Sequence, residues 1–95
     1  MQDKGHQDAV ITVVGHDQVG LIARVAGLLA EAGINIKDIS QTIMNDMFTM
    51  IMMVDLSRMN GDIRQLAGQL EALGRTLEVS IRVQHADIFD AMHRI

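Results

Sequence analysis

The chain has 95 residues, 48% of them apolar, which is one domain with a single modest core. With no Cys it has no disulfide, thiolate nucleophile or Cys-based metal site, and no apolar run approaches membrane-spanning length. A formal charge of −4, eight scattered Lys and Arg against twelve acids, and only two aromatic residues argue against a nucleic-acid surface.

The first eight residues form a polar leader (Gln2, Asp3, Lys4, His6, Gln7, Asp8), unlike a secretory signal, so a soluble cytoplasmic protein is expected. Ala9 to Val14 is a compact β-branched run, apolar on both faces, which predicts a central first strand stopping at Gly15-His16-Asp17-Gln18. A helix follows, with Ile22, Val25, Leu29 and Ala32 at helical spacing and Leu21 and Leu28 widening the stripe. Asp17 is its expected N-cap, and Gly33 supplies the left-handed residue that ends it.

Ile34 to Met44 predicts a second strand whose alternation changes phase. Ile34 and Ile36 share one parity; Ile39, Gln41 and Ile43 share the other, so a β-bulge is expected near Lys37-Asp38. Asn45-Asp46 is the turn into a third strand, Met47 to Leu56, with Phe48, Met50, Met52 and Val54 on one face and Met47, Ile51 and Met53 on the other. Asn60-Gly61 opens a second helix with Ile63, Leu66, Ala67, Leu70 and Leu73 as its stripe and Gly74 as its expected end. Leu77, Val79, Ile81 and Val83 then alternate with polar residues, as a half-exposed fourth strand does. A short amphipathic C-terminal helix is expected last, capped by Asp87, with Ile88, Met92 and Ile95 packing inward.

The order β-α-β, β-α-β is the split-βαβ, or ferredoxin-like, pattern. The fold class is therefore α+β: a βαββαβ sandwich with a four-stranded antiparallel sheet, two helices on one face and the short C-terminal helix. Two helices cover one face of the sheet, yet the third strand is apolar on both. A partner subunit or the C-terminal segment Ile88 to Ile95 must cover the rest, because monomers rarely leave such a patch in water.

Val13-Val-Gly-His-Asp-Gln-Val-Gly20-Leu-Ile resembles the ACT signature, in which an apolar strand meets a short polar loop closed by a glycine. Gly33-Ile-Asn-Ile36 resembles the start of the second strand in that family. Asp38-Ile-Ser-Gln-Thr42 followed by Phe48-Thr-Met50 is similar to the short single-ACT-domain proteins of bacteria and archaea, a group of uncharacterised function related to the tandem-ACT regulator of the glycine cleavage system. The resemblance covers Ala9 to Ile95, so residues 9–95 are read as one ACT domain. It implies a non-catalytic regulatory domain that binds a small molecule, an amino acid by preference, between the subunits of a homodimer. The residues it places at that site are Gly15, His16, Asp17, Gln18, Val19, Gly20, Leu21, Asn35 and Ile36. Gly15 stands where amino-acid-binding relatives often carry a polar side chain, Val19 where Pro is common, and Asp17 for a frequent Asn.

Geometry gives the same site. The second strand lies at a sheet edge, and two such edges paired about a two-fold axis run antiparallel. Asn35 of one copy then approaches the Asp17 to Gly20 loop of the other, where helix N–H groups can hold a carboxylate. Asn35 could bind the carboxylate or the amine and Asp17 the ammonium. Gly20 would permit close approach of a ligand, or tight packing of the helix on the sheet.

Other functions have less support. An acylphosphatase-like enzyme of this topology needs an Arg in or beside the first loop, and Arg24 lies more than a helical turn inside the expected helix. Of His6, His16, His85 and His93, His16 and His85 fall at opposite ends of antiparallel strands, and His6 and His85 could come close only if the leader is ordered, so surface histidines are the better reading and metal the lesser one. No metal or cofactor is expected. A protein-interaction module acting on a regulated partner through the edge strand or the apolar sheet face is the alternative to a small-molecule sensor.

Overall fold

The computed structural model of the protein describes residues 8–16 and 18–86. The elements run β1 (Asp8–His16), α1 (Leu21–Glu31), β2 (Asn35–Met44), β3 (Met47–Asp55), α2 (Ile63–Leu77) and β4 (Val79–His85). The sheet order is β2-β3-β1-β4, and every pairing is antiparallel. This is the expected sandwich. The expected C-terminal helix from Asp87 to Ile95 lies outside the described residues, as does most of the leader; Asp8 already pairs with Asp55.

Alternation explains the layers. Ala9, Ile11 and Val13 of β1 stand level with Val54, Met52 and Met50 of β3, and with Val83 and Ile81 of β4 across Ile11 and Val13. All of these meet Leu21, Val25 and Leu29 of α1 and Leu66 and Leu70 of α2 in one core. The α1 stripe is thus centred on Leu21, Val25 and Leu29, with Ile22, Leu28 and Ala32 at its borders. On the opposite face Val14, Met47 and Ile51 are 38%, 43% and 45% exposed.

The bulge lies where the phase change places it, between Ile36 and Asp38. Ile36 faces the core side opposite Val54, Lys37 is the extra residue, and Asp38 then faces the open side opposite Met53. Asn45 and Asp46 both have positive φ, 52° and 68°, the conformation that closes a two-residue hairpin.

Three expected helix ends move. The N-cap of α1 is Gly20, not Asp17, because the chain runs as strand through His16 and turns before Leu21. At α2 the cap is Asp62: its side chain accepts from the Gln65 N–H at 3.0 Å, and Gln65 Oε1 accepts from the Asp62 N–H at 3.1 Å. The helix also passes through Gly74 to Leu77, and Glu78 takes the left-handed position at φ 61°. Gly33, at φ 79°, does follow α1 as expected.

The bulge has an electrostatic consequence. Asp8 and Asp55 are direct cross-strand neighbours, a like-charge pair that destabilises a sheet. Lys37 Nζ donates to Asp8 Oδ2 at 2.8 Å. That hydrogen bond, with the charges of Asp8 and Asp55, raises the lysine pKa above its ordinary 10.5. A raised folded-state pKa stabilises the fold below the unfolded-state value and loses that contribution as pH rises through the folded-state value. Thermal melts of Lys37→Met and the parent chain should therefore differ at pH 8 and converge as pH climbs beyond 10.5. A gap that persists unchanged at high pH would show that the charge is not what matters.

Candidate functional site

Eight of the nine expected site residues are among the described residues, and they fall into two groups at opposite ends of the sheet. His16 is level with Met47, and Met47 with Met44 of β2, so the loop after β1 sits at the far end of β2. Asn35 is level with Asp55 and Asp8 at the other end. A single chain does not bring the loop and Asn35 together.

Within the first group the roles separate. Gly15 is a strand residue between Phe48 and Val79, and a Cβ there would lie 2.5 Å from Val79 Cγ1. Its lack of a side chain serves packing. His16 is an exposed strand residue on the open-face row of Met47. Asp17 lies outside the described residues. Gln18 Nε2 donates to the backbone oxygen of Leu77 at 2.8 Å, so this side chain ties the loop to the last turn of α2. Val19 is fully exposed at the turn, and Leu21 is buried in the core and offers only its backbone.

Gly20 decides between the two explanations offered for it. Its φ is 83°, and a Cβ built on it would meet nothing within 4 Å. Tight helix packing is therefore not the reason for a glycine here; the left-handed backbone is. The space around it is open. As N-cap it brings no side-chain oxygen to the first-turn N–H groups of α1, and no acidic residue occupies that turn. A helix start of this kind can accept a carboxylate from outside. Arg24 falls in the first turn once the helix begins at Leu21, rather than deeper, and it is exposed.

At the other end, Asn35 is exposed and Ile36 is half-buried against the core. Asn35 lines a polar recess of about 430 Å³ together with Gly33, Asp55, Ser57 and Arg58. Its shape comes from two turns held together. The Asn60 N–H donates to Ala32 O at 2.8 Å, and a Cβ on Gly33 would lie 2.8 Å from Arg58 O. The Ser57 N–H donates to Asp55 Oδ1 at 2.9 Å. Asp55, Ser57 and Arg58 were not singled out from the sequence; the only signal was the polar stretch after β3.

Among the described residues no group of three or more His, Cys, Asp or Glu could hold a metal ion. His85 pairs with Ala9, at the opposite end of the sheet from His16. No helix among the described residues is long and apolar enough to cross a membrane.

Comparisons with known proteins agree with this architecture. The ACT domain family model matches residues 7–84. A UPF0237 protein of Methanococcus maripaludis is 52% identical over 89 residues, 94% of this chain and 99% of that protein. An ACT domain protein from Streptococcus pneumoniae superposes with a TM-score of 0.76 at 48% identity, covering 86% of this chain and 92% of that one. A putative glycine cleavage system transcriptional repressor superposes with a TM-score of 0.70 at 28% identity, covering 82% of this chain and 44% of that one.

Proposed function

The chain belongs to the ACT domain family, and from that premise we propose that it is a non-catalytic, cytoplasmic regulatory domain that binds an amino acid between two copies paired through β2. The observation that carries the pairing is the exposure of β2. All ten residues of this edge strand except Ile36 are exposed, including Ile43 at 57% and Met44 at 66%. A long edge strand with open backbone groups and exposed Ile39, Ile43 and Met44 is a surface that natural proteins pair, cover or blunt with charge. Lys37 and Asp38 supply charge at one end only.

Antiparallel pairing of two β2 edges sets Asn35 of one copy beside Met44 of the other. From there to β1 is three strand spacings, about 14 Å. A small molecule, with side chains reaching from both sides, bridges that gap. The α1 start beside Gly20 supplies N–H groups for a carboxylate, and Asn35 supplies an amide. Symmetry makes two such sites per dimer.

A screen of the common amino acids for thermal stabilisation tests this. A ligand at 100 times its dissociation constant adds about 2.7 kcal/mol to the native state. The response should vanish in Asn35→Ala. Gly20→Ala should lose it too, at a cost of about 1–2 kcal/mol in basal stability for the left-handed backbone. A flat screen with a dimeric protein would instead favour an interaction module. The specific observation behind that alternative is the open sheet face, where Val14, Met47 and Ile51 are all exposed.

A further inference from the structure

The recess beside Asn35 contains more chemistry than an amide. Arg58 lines it from the turn after β3, and among the described residues Arg58 makes no ion pair. Ser57 adds a hydroxyl, and Asn35 its carboxamide. The anion in the same wall, Asp55, already accepts the Ser57 N–H and contributes to the raised pKa of Lys37. The remaining polar side chains of the lining residues are a guanidinium, a carboxamide and a hydroxyl. Three donors, one of them a fixed cation, suit the two oxygens of a carboxylate.

The rest of the site points to the same ligand shape. The α1 start at Gly20 has no side-chain cap among the described residues and offers first-turn N–H groups to one carboxylate; with β2 as an edge strand, the proposed pairing sets it toward the partner's recess across several strand spacings. A ligand that satisfies both ends needs an acceptor group at each. We propose that Arg58, with Ser57 and Asn35, forms a subsite for the far carboxylate of a two-ended acidic ligand, so that the domain prefers acidic amino acids to their amides. This rests on the β2-paired site proposed above and adds the ligand class to it.

The test titrates this 95-residue chain separately with glutamate, aspartate, glutamine, asparagine and glycine while thermal midpoint and heat are recorded. One of the two acids should bind roughly tenfold or more tightly than its amide, the size expected for a charge-assisted hydrogen bond. Arg58→Ala should abolish that preference without unfolding the chain, since Arg58 is exposed. Arg58→Lys, which keeps the charge but not the fork, should retain part of it. Equal binding of acids and amides by the parent chain overturns this inference and leaves the amino-acid site standing. So does an Arg58→Ala variant that keeps its acid preference but dissociates, which would make Arg58 an inter-subunit contact, for instance to the partner's Asp46. Failure of every amino acid to bind overturns both proposals.

Discussion

If two copies pair through β2 as proposed, a chain carrying Ile39→Lys and Ile43→Lys is expected to remain folded and to run as a monomer. Both residues sit on the helix side of β2, level with Met52 and Phe48, yet they are exposed. Replacing side chains already 42% and 57% exposed removes little from the core of one copy. Across a two-fold axis the same substitutions put lysines of both copies along one seam. Apposed like charges cost several kcal/mol, which raises the dissociation constant at least a hundredfold. Light scattering across a dilution series reads that change, and a circular-dichroism melt shows whether the fold survives. An unchanged dimer would move the interface to the open face. Ile51→Lys, in the middle of that face, would then be the substitution that dissociates it.

The two outcomes matter for function because the proposed site needs the edge pairing. On that proposal, the Gly20 turn of one copy is set toward Asn35 and Arg58 of the other. Face-to-face packing through Val14, Met47 and Ile51 leaves both halves of the site facing water at opposite ends of each sheet. Losing the dimer and the amino-acid response together in the Ile39/Ile43 variant would tie ligand binding to this edge.

The parts of this fold that were legible in the sequence are those whose cause is local and periodic. Phe48, Met50, Met52 and Val54 alternate, so their shared face is set by strand geometry alone. The bulge was legible because one extra residue reverses parity, and Ile36 and Ile39 record that reversal directly. Asn45-Asp46 was legible because few residue pairs tolerate two left-handed positions in a row. The candidate site was legible only as positions: the motif singles out Gly20 and Asn35, and the structure puts the first at the start of α1 and the second at the start of β2. The tie from Gln18 to Leu77 joins residues 59 apart, and no pattern near Gln18 announces it. Arg58 and Ser57 lie in a turn without periodicity, and their place beside Asn35 depends on how two turns are pinned together.

Gly74 and Glu78 show how a correct rule can be applied to the wrong residue, and they give the second large effect. Glycine after a helical stripe usually marks the left-handed end. Here the helix continues, and the left-handed residue is Glu78. Gly74 is buried inside α2 because the helix runs close to β4: a Cβ at this position would lie 2.7 Å from Val79 O and 3.5 Å from Ile81 Cγ1. Helix propensity alone favours Gly74→Ala by about 1 kcal/mol. The obstacle is a backbone oxygen of a strand paired to β1, which cannot rotate away as a flexible side chain would, so the helix must lift off the core that Leu66 and Leu70 fill. Overpacking of this kind costs about 1–3 kcal/mol. The net expectation is a loss of about 1 kcal/mol, or roughly 4–8 °C in the thermal midpoint of a domain this size. Glu78→Gly should move the other way by about 0.5–1 kcal/mol, since it removes the penalty of a left-handed non-glycine residue and adds back some chain entropy. Two melts decide the matter: a stabilising Gly74→Ala would mean that the close approach of α2 to β4 is not there, and a destabilising Glu78→Gly would mean that Glu78 does not hold the left-handed position.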